Sequence, residues 1–439
     1  MRNLRVYFFV ILTFVIGSAF VISADPIDQI VSSLEKFTSS QIQEKVFVHT
    51  DKPFYAAGDT IWYKAYTVDA RENLPTNLSG VLYVDLLNEK DSVFSSQRIK
   101  LIAGMGNAQI ALPIDIKPGN YTMYAYTNWM KNYDRSFFFK KQFTIANPFA
   151  KEAALTTAGS KDVELGFFPE GGDLVAGIRS VIAFKAAGAD GMGINLKGNI
   201  VDEAGQKVID FSTEHFGMGI TAMVPEAGKK YMAQVTEGPG AGLNIALPLA
   251  KTEGYVLAVR NRDTAGVTVK VTASAGLVSD KELLLVLQSN GEIQHVTKFK
   301  SQQVSNILVP RSKLTTGIVQ LTLFSGTTPL AERLIFINQD DQLRASITSN
   351  KTTYATREAT ELDLKVLNKA GQPVLGSFSV SVVDEEKVKS DEQLEENILT
   401  NLLLTSELKG TIEKPGYYFN KKNEEAGRHL DALLLTQGW

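Results

Sequence analysis

The sequence contains no cysteine, and this absence limits both its chemistry and its means of stabilisation. It excludes disulfides, thiolate zinc sites, cysteine nucleophiles and lipid attachment at an N-terminal cysteine. The chain also lacks an excess of one charge, because 45 basic and 48 acidic residues leave a formal net charge of -3. That balance does not fit a nucleic-acid binder. What the chain has is size and apolar content: 439 residues, 44% of them hydrophobic, are enough for several domains with cores of their own.

Residues 1–24 indicate export. Arg2 and Arg5 precede an uncharged stretch that ends in small residues before Asp25. This order is typical of a signal peptide cleaved after Ala24; the alternative is an uncleaved membrane anchor at the short end of the spanning length. An exported chain without cysteine fits the periplasm or outer membrane of a Gram-negative bacterium better than a eukaryotic secretory route.

Periodicity divides the rest of the chain into a short helix, four β-rich units and a helical end. Apolar residues recur at helical spacing near the start, and from residue 42 the period changes to two, with glycine and proline turns between strands. The predicted segments are a lead-in helix at 25–41, units at 42–148, 160–250, 251–340 and 341–388, the last one partial, and a helical tail at 389–439. The predicted fold class is therefore all-β, with tandem antiparallel β-sandwiches and a short helical C-terminal tail.

Two boundaries in this division depend on local composition. The small and polar stretch 153–160 indicates a linker, and Ser390 with Gln393 forms a possible capping box at the start of the helical tail. The chain stops at Trp439, inside an apolar segment, which predicts either a piece of a longer protein or a chain that has lost a following domain.

One segment is specific enough to indicate a family. Residues 46–60 read VFVHTDKPFYAAGDT and are followed by a strand-like alternation through Val68. Pro53 fixes φ and ends the first strand, while Gly58 and Asp59 supply a turn before the next one. This order resembles the opening of the second macroglobulin domain in the alpha-macroglobulin and complement superfamily. The resemblance implies macroglobulin-like sandwiches, which are immunoglobulin-like in architecture.

The same signature recurs later in the chain. In the segment 350–358, Lys351, Tyr354 and Glu358 have the spacing of Lys52, Tyr55 and Asp59. A predicted strand at Ser377–Val383 follows it, and ends at Asp384 and Glu385, as in later macroglobulin domains. Repetition of one strand–turn–strand signature predicts tandem related domains.

The chain also resembles the N-terminal half of exported Bacteroidetes proteins, in which macroglobulin-like domains precede a TonB-dependent receptor plug. The segments that carry this resemblance are 168–172 (FPEGG), 215–219 (HFGMG), 329–333 (PLAER), 430–431 (LD) and 435–439 (LTQGW). The resemblance implies a location in the cell envelope and no known catalysis.

These observations lead to two hypotheses about function. The first is a macroglobulin-like protein that binds a polypeptide partner in the envelope and resembles an endopeptidase inhibitor, but without the Cys-Gln thioester, which a chain lacking cysteine cannot form. The alternative is the N-terminal portion or a relative of a TonB-dependent outer-membrane receptor assembly for nutrient uptake. In both cases the partner is a polypeptide, with no nucleic acid and no membrane span after signal cleavage. Neither hypothesis makes the chain an enzyme.

No catalytic, cofactor-binding or metal-ligating residue is predicted, and no cofactor. The four histidines, at positions 49, 215, 295 and 429, are far apart in sequence and are expected to be lone surface residues. Glu170 and Asp173 flank a Gly-Gly turn; a calcium site is the functional alternative there, but two carboxylates are too few, and a structural turn is favoured.

Three further segments have a functional and a structural interpretation. The charged run 384–396 is either a cleavable bait segment or, as favoured, a solvated linker. The aromatic cluster of Tyr121, Tyr124, Tyr126 and Trp129 is either a sugar or peptide platform or, as favoured, sandwich packing. Ser33 matches a Ser-x-x-Lys motif by chance, without its partner motifs.

Overall fold

The computed structural model describes residues 25–150, 163–261, 265–388, 391 and 395–438. The predicted signal peptide, the predicted linker 153–160, Ser390, Gln393 and Trp439 lie outside these ranges. The described part is built from several mainly antiparallel sheets with a few short helices, which confirms the predicted fold class. Within these ranges, no helix is long and apolar enough to span a membrane.

The first described element is helix α1, Pro26–Ser40. The Asp25 side chain caps it by accepting a hydrogen bond from the Ile27 amide at 2.9 Å, and Pro26 occupies a position where its missing N–H costs nothing. Asp25 also pairs with Lys298 at 2.8 Å, so the start of the helix contacts unit three, defined below.

Unit one is a complete sandwich around a single core. Its strands are β1 (Glu44–Thr50), β2 (Phe54–Ala56), β3 (Thr60–Asp69), β4 (Val81–Leu87), β5 (Val93–Lys100), β6 (Met105–Ala111), β7 (Gly119–Thr127) and β8 (Phe139–Ala146). They form two sheets in the orders β1-β3-β6 and β2-β8-β7-β4-β5. The alternation predicted from the sequence sets the buried face: Ile61, Tyr63 and Ala65 of β3 are at most 4% exposed.

Units two and three are sandwiches of the same kind. Unit two contains β9 (Glu164–Pro169), β10 (Ser180–Ala187), β11 (Lys197–Asp202), β12 (Lys207–Ser212), β13 (Met218–Met223), β14 (Tyr231–Glu237) and β15 (Asn244–Ala246). Unit three contains β16 (Tyr255–Arg260), β17 (Gly266–Ala273), β18 (Glu282–Ser289), β19 (Glu292–Lys300), β20 (Val304–Pro310), β21 (Gly317–Ser325) and β22 (Thr328–Ile337). Their sheets are β13-β10-β9 with β12-β11-β14-β15, and β16-β17-β20 with β19-β18-β21-β22.

Unit four is a single pair of strands, β23 (Arg344–Ser349) and β24 (Leu362–Leu367). The strand predicted at Ser377–Val383 is wrong, because these residues form no sheet. Their period-two pattern is present, but a strand exists only where a neighbouring chain accepts its hydrogen bonds. Here the side chains of Ser377 and Ser379 bond instead to Lys64 and Tyr66 of unit one, at 2.6 and 2.9 Å.

The C-terminal helices fold back onto the sandwiches. Helix α2 (Ile398–Thr400) continues as a π-helical turn (Asn401–Thr405), a 3₁₀ helix follows at Pro415–Phe419, and helix α3 spans Ala426–Gln437. A capping box joins Asn397 and Thr400 at the start of α2. Further 3₁₀ turns lie at Trp129–Asn132, Arg135–Phe137, Ala275–Leu277 and Arg311–Lys313. The predicted tail is therefore helical, but it packs against the body of the protein.

The repeated signature has the same hydrogen bonds in units one and four. Tyr55 Oη donates to Asp51 Oδ1 at 2.6 Å and accepts from the Lys52 amide at 3.2 Å, while the Lys52 ammonium pairs with Asp59 at 2.7 Å. The Ala56 amide donates to the same Asp59 carboxylate at 3.0 Å. This network holds the turn between β1 and β3.

In unit four, Tyr354 Oη donates to Asn350 Oδ1 at 2.6 Å and accepts from the Lys351 amide at 3.0 Å. Lys351 pairs with Glu358, and the Ala355 amide donates to Glu358 at 2.7 Å. The strand register matches as well, since Thr50 pairs with Tyr63 in unit one and Ser349 pairs with Leu362 in unit four. The two copies are therefore the same structural element.

The two copies differ in burial, and this difference is testable. Tyr55 is fully buried, and burial together with Asp51 raises the pKa of its hydroxyl, which therefore remains a donor. We expect Tyr55→Phe to lower the free energy of unfolding of unit one by about 1–2 kcal/mol, because the Asp51 and Lys52 groups lose a buried partner. Tyr354→Phe is the matched control and is expected to cost about 0.5 kcal/mol, since its neighbours are exposed. Amide hydrogen exchange in β1 and β23 measures both; equal losses at the two sites would contradict the prediction.

Candidate functional site

Side chains from four distant segments meet where units two and three contact helix α3. We call this place the junction and define it by Glu170, His215, Arg333, His429 and Asp431. Glu170 follows β9, His215 precedes β13, Arg333 lies on β22, and the other two lie on α3. The segments that carried the second family resemblance are thus neighbours in space.

A buried arginine is the centre of the junction. Arg333 is 2% exposed; its Nε donates to Glu170 Oε1 at 3.0 Å and its Nη2 to Asp431 Oδ1 at 2.7 Å. Its Nη1 donates to the Leu334 carbonyl oxygen at 2.7 Å, and Glu170 Oε1 also accepts from the Val259 amide at 3.0 Å. One guanidinium therefore connects unit two, unit three and α3.

The electrostatics of this group are those of a desolvated ion pair. Burial raises the pKa of the Glu170 carboxyl, and the nearby Arg333 charge opposes that shift. Burial works against the charge of Arg333, but Asp431 and Glu170 outweigh it and raise the pKa of the guanidinium. Arg333 and Glu170 are removed from water, whereas the Asp431 side chain is 40% exposed, so loss of either buried partner would leave the other as an uncompensated charge.

The turn that carries Glu170 depends on a glycine. Gly171 has φ +87°, and a Cβ on it would lie 3.2 Å from the Leu257 backbone nitrogen. The Gly171 carbonyl oxygen accepts a hydrogen bond from the Glu332 amide at 3.3 Å, next to Arg333. The Gly-Gly sequence therefore lets the backbone of unit two approach unit three closely enough for the ion pair to form.

A pair of stacked histidines forms the second part of the junction. The rings of His215 and His429 are parallel to within 3°, with centroids 4.2 Å apart, and the ring of Tyr417 stacks on His215 at 4.2 Å. The prediction of lone surface histidines is therefore wrong for these two. The pair could not be predicted from the sequence, because there is no His-x-x-x-His spacing and the two rings come from unit two and from α3.

Hydrogen bonds determine the protonation state of His429. Its Nε2 lies 3.3 Å from Arg428 Nη2, and because a guanidinium only donates, Nε2 accepts. Its Nδ1 therefore carries the proton and donates to Tyr417 Oη at 2.6 Å. Burial, followed by Arg428, lowers the pKa of His429.

His215 is also held neutral. Its Nε2 is buried without a hydrogen-bond partner, so a proton placed there would be an unsatisfied donor. Burial is the main cause that lowers the pKa of His215 to about 4, and the neighbouring His429 and Arg428 groups act in the same direction. Glu214 and Glu425 both pair with Arg428 and partly offset its charge.

An apolar cluster completes the junction. Buried side chains of β13, the π-helical turn, the 3₁₀ helix and α3 pack together, with half-buried residues of β21 and β22 around them. The buried members are Met218, Leu404, Leu408, Tyr418, Leu430, Ala432, Leu433 and Leu434. Burial of this face, rather than helix propensity, stabilises the short α3 in its place.

The remaining candidates from the sequence are structural. Glu170 and Asp173 do not share a site, because Asp173 pairs with Lys251 at 2.5 Å; the favoured structural turn is confirmed. Among the described residues, no group of three or more His, Cys, Asp or Glu side chains is arranged to hold a metal ion. His49 bonds Ser379 Oγ at 2.8 Å, and His295 bonds Thr297 Oγ1 at 2.9 Å.

The aromatic cluster of unit one is packed in part: Tyr121 is buried, Tyr124 and Tyr126 are half-buried, and Trp129 is 36% exposed. Tyr121 is 5% exposed in the core, and Trp129 donates to the Ile42 carbonyl oxygen at 2.6 Å. The Tyr126 ring stacks with those of Tyr83 and Phe138, with ring centroids at 5.6 and 4.4 Å, and the Lys131 ammonium lies 5.1 Å from its centroid. Tyr126 is therefore engaged by its own unit.

The charged run 384–396 is only partly described. Asp384 closes a local turn by pairing with Lys387 at 2.8 Å and accepting from the Glu386 amide at 3.0 Å. Glu396 accepts hydrogen bonds from Asn401 and Thr405 at the beginning of the C-terminal helices. Residues 389–390 and 392–394 lie outside the described ranges, so the choice between bait segment and linker stays a prediction.

Comparisons with known proteins give no family assignment. No protein-family model and no curated protein matches the chain. One solved structure with partial similarity is Escherichia coli alpha-2-macroglobulin activated by porcine elastase, at 10% identity and a TM-score of 0.24, where the match covers 74% of this chain and 33% of that one. Another is Salmonella alpha-2-macroglobulin reacted with methylamine, at 10% identity and a TM-score of 0.21, where the match covers 73% of this chain and 25% of that one. Domains 4–9 of the surface layer protein SbsC are similar to the same degree, at 11% identity and a TM-score of 0.24, where the match covers 76% of this chain and 54% of that one. The chain spans a third or less of the two macroglobulins, and at these TM-scores the fold assignment depends on its own sheets.

Because of this ion pair, removal of the Arg333 side chain is predicted to lower the stability of the junction strongly. Arg333→Ala is expected to destabilise the junction by about 3–5 kcal/mol, because it leaves Glu170 as a buried, uncompensated carboxylate. Hydrogen exchange of the α3 amides and urea unfolding followed by circular dichroism measure this loss.

The double variant Glu170→Gln with Arg333→Met removes both buried charges and is expected to recover a large part of that stability. Lys197→Ala is the control, since its ion pair with Glu237 is exposed and screened by water, and its loss is expected to leave the stability almost unchanged. An Arg333→Ala variant as stable as the Lys197→Ala variant would show that the ion pair does not hold the junction.

The histidine pair predicts acid sensitivity. Because the folded-state pKa of His215 is lowered to about 4 from its ordinary 6.5, the docking of α3 is fully stable above pH 6.5 and weakens as the pH falls towards 4. Hydrogen exchange of the α3 amides, corrected for intrinsic rates, should show this loss of protection. His215→Phe keeps the stacking and is expected to flatten the profile, whereas His295→Gln is expected to leave it unchanged. A wild-type profile that does not change between pH 6.5 and 4 would contradict the assignment.

Proposed function

We propose that this chain is an exported, macroglobulin-like protein without catalytic activity, which binds polypeptide partners in the bacterial envelope, with endopeptidases as the partner class. The observation that carries the proposal is unit four. It has the strand–turn–strand element of unit one, yet Ile347, Leu362 and Leu364 on one face of its sheet are 54%, 44% and 41% exposed. An apolar face of this kind commonly marks a protein interaction site.

The superfamily part of the proposal is supported by the repeated turn. Its Lys, Tyr and acidic residues make the same hydrogen bonds in units one and four, so the motif that carries the macroglobulin resemblance is a structural element. A covalent trap needs a Cys-Gln thioester, and the chain has no cysteine. Any capture of a protease is therefore noncovalent.

The proposal that the chain is not an enzyme follows from the roles of its titratable groups. At the junction, Arg333 is committed to two carboxylates, and His429 to Tyr417 and Arg428. Export and a periplasmic or outer-membrane location are supported by the composition of residues 1–24.

The alternative proposal, a part or relative of a TonB-dependent receptor assembly, is favoured by one observation. Of the segments that carry this resemblance, 168–172, 329–333 and 430–431 contact one another through Glu170, Arg333 and Asp431, and 215–219 contacts 435–439 through Met218 and Thr436. A plug and barrel encoded in the same or a neighbouring reading frame would favour this alternative over an independent inhibitor.

The proposed function is tested with a panel of endopeptidases. Purified residues 25–439 are incubated with each enzyme, and the remaining activity is measured on a large protein substrate and on a small peptide. We expect selective loss of the activity on the large substrate, because a bulky bound chain blocks access sterically but leaves the protease active site free. Since no thioester can form, this inhibition is expected to be reversed by dilution.

The cleavage positions are determined in parallel by mass spectrometry. A cut confined to residues 384–396, together with inhibition, would support the bait interpretation of that segment. Ordinary nicking between units, with both activities unchanged, would contradict the endopeptidase proposal.

A further inference from the structure

A cleft lies between unit three and the C-terminal helices, beside the junction. Its volume is about 510 Å³, which is within the usual range of small-molecule sites. One wall consists of the ends of β16 and β22 and the turn that carries Arg311. The other wall consists of the 3₁₀ helix at Pro415–Phe419, the turn after it and the first part of α3. Of the five residues that define the junction, Asp431 alone lines this cleft, so the two places are neighbours but not the same site.

Part of the cleft is apolar. The rings of Phe336 and Phe419 meet edge to face, with centroids 5.4 Å apart, and both side chains are half-buried. Val259 of β16 and Leu430 and Leu434 of α3 line the same space. A ligand with an apolar body would therefore remove ring surface from water when it enters the cleft.

Three asparagines give the cleft an excess of hydrogen-bond donors. In each, the backbone amide two residues later donates to the side-chain Oδ1, at 2.9 Å for Asn338 and at 3.1 Å for Asn420 and Asn423. A backbone amide only donates, so the atom that it meets is the oxygen, and the other atom is the Nδ2 donor. Within the described part of the chain, none of the three Nδ2 groups has a hydrogen-bond partner. Each is available to a ligand that accepts hydrogen bonds.

Two arginines bring positive charge to the same cleft. Arg311 is half-buried, and its Nη1 donates to Asn261 Oδ1 at 2.9 Å, which holds the guanidinium in one orientation. Arg260 is the exposed last residue of β16. Neither arginine pairs with a carboxylate of the described residues. Because a guanidinium presents its N–H groups as a planar fork that matches a carboxylate, Arg311 is suited to hold an anionic group of a ligand.

The surrounding charges favour a singly charged anion over a doubly charged one. Lys421 also lines the cleft, but it pairs with Asp340, so this pair is neutral. Asp431 belongs to the group of Arg333 and two carboxylates, which carries one net negative charge. Against the two unpaired arginines, this leaves one positive charge in excess. One carboxylate on the ligand balances it, whereas a phosphate dianion would overcompensate and face the Asp431 carboxylate.

We propose that this cleft binds a monoanionic carboxylate that carries an apolar group. The carboxylate accepts hydrogen bonds from Arg311 and the three asparagine amides, and the apolar group contacts Phe336 and Phe419. Two sources have this chemistry: a free organic acid, and the C-terminal carboxylate of a polypeptide whose last residue is apolar. The site is distinct from the exposed face of unit four, and the proposal does not depend on the binding of endopeptidases.

Matched acids and amides test the proposal. The probes are 3-phenylpropanoate and 3-phenylpropanamide, together with a tetrapeptide that ends in phenylalanine, with a free or an amidated C-terminus. Isothermal titration calorimetry measures their binding to the chain of residues 25–439 at neutral pH. We expect saturable binding of 3-phenylpropanoate, about tenfold or more tighter than that of its amide, because charge-assisted hydrogen bonds are the stronger ones. Binding of the free-acid peptide would identify a polypeptide C-terminus as the source; binding of 3-phenylpropanoate alone would identify a free acid.

The protein variants separate the cleft from the rest of the surface. Asn423→Asp keeps the oxygen that accepts from the Glu425 amide but replaces the Nδ2 donor with a negatively charged oxygen, and is expected to weaken binding about tenfold. Asn88→Asp is the matched control, since Asn88 Oδ1 accepts from the Lys90 amide at 2.9 Å in the same kind of turn in unit one, and should leave binding unchanged. Arg311→Gln is expected to weaken binding about tenfold or more. Circular dichroism verifies that the variants are folded.

Four outcomes would overturn the proposal. These are no binding of either acid, equal binding of acid and amide, equal effects of Asn423→Asp and Asn88→Asp, and tighter binding of phenyl phosphate, which is mainly dianionic at neutral pH, than of 3-phenylpropanoate. Hydrogen exchange gives an independent location: the bound acid should slow exchange in residues 415–434 and at the ends of β16 and β22, and protection elsewhere would contradict the site. None of these measurements contains a protease, so their failure leaves the proposed function untouched.

Discussion

The buried charge of Arg333 is the constraint on which the arrangement of the units depends. A guanidinium that is 2% exposed is tolerated only beside its acceptors, and these come from unit two, from the next residue of unit three and from α3. Units two and three therefore contact each other at one specific place, where Gly171 allows their backbones to approach. Helix α3 also contacts this place, although unit four lies between unit three and α3 in the sequence.

The C-terminal helices owe their structure to contacts with the sandwiches. Helix α3 has 12 residues, which is marginal for a helix alone in water, and its apolar face is buried against β13, the 3₁₀ helix and the π-helical turn. Lys45 of unit one donates to the Leu402 carbonyl oxygen at 2.9 Å and pairs with Glu407, so unit one contacts these helices too. A segment that looked like a terminal extension in the sequence thus joins three sandwiches.

The sequence predicted those features that are local. The alternation in β3 and the order of Lys52, Tyr55 and Asp59 are encoded within a few residues, and the structure shows the expected strand and turn. The junction was missed because its partners are far apart: Glu170 and Arg333 are separated by 163 residues, and Arg333 and Asp431 by 98. A single sequence carries no signal for such pairs. The segments that contain these residues resemble the same group of exported proteins, but that resemblance did not indicate that they contact one another. The predicted strand at 377–383 failed for the opposite reason, since its pattern is local but its hydrogen-bonding partner is not present.

Unit four shows that the strand–turn–strand signature forms without the rest of a sandwich around it in the described residues. The turn network forms in full around Tyr354 although the face beside it is exposed, so this network does not require the sandwich core. The core does depend on strands that follow later in the order of unit one, and here the chain turns away after residue 383 to form the C-terminal helices. The result is a correctly registered pair of strands held close to unit one through Ser377 and Ser379, with one apolar face and one edge unoccupied. Since the other sandwiches of the described chain bury the equivalent face, the exposed Ile347, Leu362 and Leu364 show that strand pairing and turn geometry do not depend on a complete core.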